Sequence, residues 1–98
     1  MENLELLVNL QELDLSDNHI DKMRNLESSK QLRVLNLSKN RISVIACIDT
    51  LQKLQVLDLS DNLIERIPVS MKFLVSLHTL KLHNNKLSNV RSQLKPKC

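Results

Sequence analysis

A chain of 98 residues with 42% hydrophobic content and a net charge of +3 suits one small domain with a core of its own. Glycine is absent, which excludes phosphate-cradling loops, nucleotide fingerprints and nucleophile elbows. Aromatics make up 1%, the single Phe73, so there is no stacking platform for single-stranded nucleic acid.

In place of aromatics the chain carries 21 leucines, a composition that suits similar layers packing identical residues in columns. Residues 1–9 open it, with Leu4, Leu7 and Leu10 in the same spacing as Met71, Leu74 and Leu77. They read as the back half of a preceding repeat. Four copies of one pattern follow, over 10–31, 32–53, 54–76 and 77–94. Their diagnostic stretches are LQELDLSDNHI from Leu10, LRVLNLSKNRI from Leu32, LQVLDLSDNLI from Leu54 and LHTLKLHNNKL from Leu77. The aligned asparagines stand at 18, 40, 62 and 85, a period of 22, 22 and 23. A short basic tail, 95–98, ends the chain.

Within each copy the pairs Leu13/Leu15, Leu35/Leu37, Leu57/Leu59 and Leu80/Leu82 alternate with period two. The alternation predicts short strands, paired in parallel, with these leucines inward. The residues between them then point outward. They are Glu12, Asp14 and Ser16; Val34, Asn36 and Ser38; Val56, Asp58 and Ser60; and Thr79, Lys81 and His83. Asn18, Asn40, Asn62 and Asn85 fall at the sharp turn after each strand. An amide both donates and accepts, so the four are expected to form a buried ladder bonding successive turns. Apolar residues recur every three or four positions in the return segments: Met23 and Leu26; Ile45, Ile48 and Leu51; Ile67, Met71 and Leu74; Val90 and Leu94. That spacing predicts a turn or two of helix in each, with Pro68 at the start of one. Phe73 is expected on the convex or solvent side, and Cys47 as a small buried hydrophobe.

Each copy matches L-x-x-L-x-L-x-x-N-x-I/L, and the chain resembles the leucine-rich repeat family over residues 10 to about 94. Repeats one and two resemble the intracellular type of phosphatase-regulatory, centrosomal and ciliary members. The third, with Ile67-Pro68-Val69-Ser70, looks like the version with a proline-started helical segment. The resemblance implies an α/β solenoid, right-handed, with short parallel strands on the concave face and helical or 3-10 segments on the convex face. It implies a protein–protein interaction module, a scaffold or adaptor, whose concave face binds a protein partner. The alternative is a regulatory segment of a signalling enzyme or phosphatase complex whose catalytic part lies elsewhere.

No catalytic constellation is present, so no enzyme activity, cofactor or metal is expected. His19, His78 and His83 lack cysteine or carboxylate partners at ligand spacing. The runs Asp14–Asn18 and Asp58–Asn62 lack the glycine and closing glutamate of a calcium loop. Basic residues Lys22, Arg24, Arg41, Arg66, Lys86 and Arg91 raise nucleic-acid binding, which is set below protein binding. Asn36-Leu37-Ser38 is a glycosylation triplet without an accompanying secretory signal, and Cys98 lacks the residues a prenylation box needs after it. No apolar run approaches the ~18 residues of a membrane span. An intracellular setting is expected, cytoplasmic with cytoskeletal, centrosomal or ciliary placement open. Neither end shows a polar cap, so a fragment or short form of a longer chain is expected.

Overall fold

Three-residue strands form wherever the leucine alternation predicts them. The computed structural model describes residues 8–88. In it β1 is Glu12–Asp14, β2 Val34–Asn36, β3 Val56–Asp58 and β4 Thr79–Lys81. They make one parallel sheet in the order β1-β2-β3-β4. Register follows the repeat without a slip: Leu13 pairs with Leu35, Leu35 with Leu57, and Leu57 with Leu80. The ladder continues past the strands into the turns, where the Asp17 N–H donates to Ser38 O at 3.0 Å and the Lys39 N–H to Ser60 O at 3.0 Å. Expectations for Leu4, Leu7, Val90, Arg91, Leu94 and the 95–98 tail lie outside the described residues.

The core is richest in the two middle repeats. Leu32, Leu35, Leu37, Ile42, Ile45, Ile48, Leu51, Leu54, Leu57, Leu59 and Ile64 are buried almost completely. Leu10, Leu13, Leu15 and Ile20 on one side, and Leu77, Leu80 and Leu82 on the other, are only partly covered. This gradient follows from a stack, in which each layer is covered by its neighbours. Cys47 is buried and forms no disulfide among the described residues, and Phe73 is exposed.

The return segments depart from expectation. Among the described residues only Val69–Phe73 is helical, a 3-10 turn started by Pro68 at φ −74°. The first two repeats use chained turns instead. Ser29 N–H donates to Leu26 O and Leu32 N–H to Ser29 O; Leu51 N–H donates to Ile48 O and Leu54 N–H to Leu51 O. The three-residue apolar spacing thus marks consecutive turns and not a helix. The cause is local: Asn25 (φ 63°) and Cys47 (φ 61°) are left-handed at equivalent positions, and a left-handed residue cannot propagate a right-handed helix.

A second set of left-handed residues precedes each ladder asparagine: Asp17, Lys39, Asp61 and Asn84, at φ 56–60°. Glycine would be the usual occupant, and the chain has none. Asp and Asn tolerate this region; an exposed lysine gains nothing there. Lys39→Asn is therefore expected to stabilise the chain by about 0.5–1 kcal/mol, raising the thermal midpoint by roughly 3–6 °C, as read by circular dichroism.

Candidate functional site: the outward face of the sheet

Strand pairing arranges the outward residues in rows. Glu12, Val34, Val56 and Thr79 form one row across the sheet, and Asp14, Asn36, Asp58 and Lys81 form the next. Ser16, Ser38, Ser60 and His83 follow just past the strand ends.

The second and third rows are largely occupied with building the turns. Asp14 Oδ1 accepts from the Ser16 N–H at 2.9 Å and from its hydroxyl at 2.6 Å. Asp58 Oδ1 accepts the same two bonds from Ser60, at 3.0 and 2.7 Å. Asn36 Oδ1 accepts from the Ser38 N–H at 3.0 Å. These are side chains bonding backbone two residues on, the usual way Asp and Asn tighten a turn. The bonds from Ser16 hold the Asp14 carboxyl below the usual carboxylate range. Ser38 and Ser60 are 8% and 3% exposed, so their placement on an outward binding face is corrected: they are buried. A serine just past the strand sits where the chain bends inward, so strict alternation no longer applies to it.

The fourth repeat breaks this arrangement. Lys81 and His83 replace the Asp/Asn–Ser pair, and lysine has no acceptor for the turn N–H. Both side chains are exposed. The groups left for a partner are therefore the row Glu12, Val34, Val56 and Thr79, the outer carboxylate oxygens of Asp14 and Asp58, and the cations of repeat four. They grade from acidic at β1 through an apolar centre to basic at β4. His78, at the rim, shares a 2.9 Å hydrogen bond between its Nδ1 and Thr79 Oγ1.

Beneath this face the asparagine ladder holds the turns together. Asn62 Nδ2 donates to Leu59 O and Ser60 O in its own turn and to Leu37 O of the preceding one, at 2.9–3.1 Å. Its Oδ1 accepts from the Ile42 N–H at 3.0 Å. Asn40 repeats the scheme with Leu15 O and the Ile20 N–H, and Asn85 with Leu59 O and the Ile64 N–H. Asn40 and Asn62 are buried, and Asn85 is half-buried. Asn18 is the exception. It is exposed, and among the described residues it bonds Leu15 O and Ser16 O of its own turn alone. Its placement in a buried ladder is corrected accordingly. Among the described residues no group of three or more His, Cys, Asp or Glu is placed to hold a metal ion. No helix of the described residues is long and apolar enough to cross a membrane.

A family model for the leucine rich repeat matches residues 30–87, more than half of the chain, and a second leucine-rich repeat model matches residues 7–22. The chain belongs to the leucine-rich repeat family. A search of the curated proteins finds no match. Among solved structures, an internalin C2 from Listeria monocytogenes is 31% identical, with a TM-score of 0.81 over 89% of this chain and 38% of that one. A second internalin from the same organism is 26% identical, with a TM-score of 0.80 over 89% and 26%. A leucine-rich repeat protein from Leptospira interrogans is 31% identical, with a TM-score of 0.82 over 86% and 22%. The chain thus spans between about a fifth and two fifths of the length of these proteins. The parallel sheet and these likenesses make it a leucine-rich repeat solenoid. The family is in general one of protein-interaction repeats and not of enzymes.

Proposed function

We propose that this leucine-rich repeat chain is a scaffold-type interaction module that docks a protein partner on the outward face of its sheet. The carrying observation is the division of labour on that face. Asp14, Asn36, Asp58, Ser38 and Ser60 serve the turns, whereas among the described residues the side chains of Glu12, Lys81 and His83 are tied to no other part of the fold and Val34 and Val56 lie half-exposed beside them. Val34 and Val56 are half-exposed neighbours on adjacent strands, about 4.8 Å apart. They offer a small apolar centre between an acidic and a basic edge. A partner of matching chemistry presents apolar side chains there, a cation toward Glu12 and an anion toward Lys81. Four strands make a narrow platform against the roughly 800 Å² that a stable interface buries per partner, so affinity rests on further surface from the chain that bears this array. We also place the chain inside the cell; a buried cysteine at Cys47 outside any disulfide of the described residues suits a reducing compartment.

The test is capture of partners by the array, comparing the native chain with Glu12→Lys, Val34→Thr, Val56→Thr and Lys81→Glu combined. The combined variant is expected to lose its specific partners while keeping its circular dichroism spectrum. Unchanged capture by the folded variant contradicts docking on this face.

A further inference from the structure

The turn side of the first two full repeats carries a groove that the sheet face does not use. It encloses about 540 Å³ and is lined by Lys22, Arg24 and Arg41, with Asp21, Met23 and Val44 among the other lining residues. A neighbouring hollow of about 380 Å³ shares Asp21, Lys22 and Arg24 with it and adds His19. The walls are set by the ladder. Arg41 N–H donates to Ile20 O at 2.8 Å, and Asn40 Oδ1 accepts from the Ile20 N–H at 3.1 Å, so the two segments lie bonded side by side. Lys22 and Arg24 flank the buried Met23, and both are exposed.

Charge and floor together define what fits. Three cations face one carboxylate. The only ion pair among the described residues is Arg66–Glu65, at 4.0 Å, so Lys22, Arg24 and Arg41 have no carboxylate within that reach. Val44, 53% exposed, supplies an apolar patch beside them. We propose that this groove binds an acidic peptide segment, its carboxylates on Arg24, Arg41 and Lys22 and an apolar side chain on Val44. Guanidinium groups suit carboxylates because two parallel N–H donors match the two oxygens. A nucleic acid fits the groove poorly. It seeks a long track of cations and stacking surfaces, whereas here the next cation along, Arg66, is paired to Glu65 and no aromatic lines the groove.

Fluorescence anisotropy with a fluorescein-labelled peptide of alternating glutamate and leucine tests this. The variants are Arg24→Gln with Arg41→Gln, Val44→Ser, and a control, Lys30→Gln with Arg33→Gln, that removes equal charge elsewhere. All five positions are exposed except for the stems they share with the fold, so each variant is expected to keep its circular dichroism spectrum. Kd is expected to rise at least about tenfold for the double arginine variant and by a few-fold for Val44→Ser, with less than about a twofold change in the control. The proposal is overturned by absence of saturable binding to the native chain, by an equal loss in the control, or by tighter binding of a single-stranded oligonucleotide of matched charge.

Discussion

Replacing Asn62 with alanine is expected to cost about 3–5 kcal/mol, because one side chain satisfies groups in two successive turns. The substitution orphans the Ile42 N–H, and it strips the carbonyls of Leu37, Leu59 and Ser60 of the amide donor they share. Each buried group so abandoned costs roughly 1–3 kcal/mol, partly relieved where a carbonyl keeps another donor, as Ser60 O keeps the Lys39 N–H. A chain of this length is stable by only about 5–15 kcal/mol in all, so urea unfolding should shift to much lower denaturant. Asn18→Ala provides the internal control. Asn18 is exposed and bonds only its own turn, so its loss should cost no more than about 1 kcal/mol. Equal costs at the two sites would show that the amides act as ordinary turn residues and not as ties between layers.

Leu57→Ala is expected to cost about 3–4 kcal/mol, in the range measured for buried leucines that leave a cavity. Leu57 is fully buried and lies in register with Leu35 on one side and Leu80 on the other. The same change at Leu80, only partly covered at the end of the described sheet, should cost roughly half as much, since its surroundings can relax and part of its surface already meets water. Chemical denaturation of the two variants side by side measures the difference. A stack predicts that the middle layer matters more; a core shared evenly among repeats predicts equal losses.

The scaffold was legible because two independent signals agreed. Period-two leucines placed all four strands, and the asparagine spacing set the register between them. The return segments were misread because a spacing of three is common to a helix and to chained turns. The residues that decide between them, Asn25 and Cys47, do so through backbone conformation, which apolar periodicity does not encode. On the candidate site, alternation marked Asp14, Asn36, Asp58 and the serines as outward and therefore available. A sharper signal was present in the same letters. Asp-Leu-Ser, Asn-Leu-Ser and Asp-Leu-Ser recur in the first three repeats, and Lys-Leu-His stands in the fourth. An acidic or amide side chain two residues before a turn serine is a turn-building pair. Reading it so commits one side-chain oxygen of each Asp and Asn to the turn, leaves only the outer oxygens of Asp14 and Asp58 for a partner, and singles out Lys81 and His83. Asn18 was misplaced for a different reason: burial in a stack depends on the next layer, and no property of the residue itself reports that layer.

Binding through the outward face is most directly tested by photo-crosslinking. A photoreactive residue at Val56 lies on that face, and one at Val69 lies outside the sheet, in the 3-10 segment. Both positions are apolar and accessible, so general stickiness is matched between them. With the captured partner present, the account predicts adducts from Val56 and none above background from Val69. Adducts from Val69 alone would contradict it.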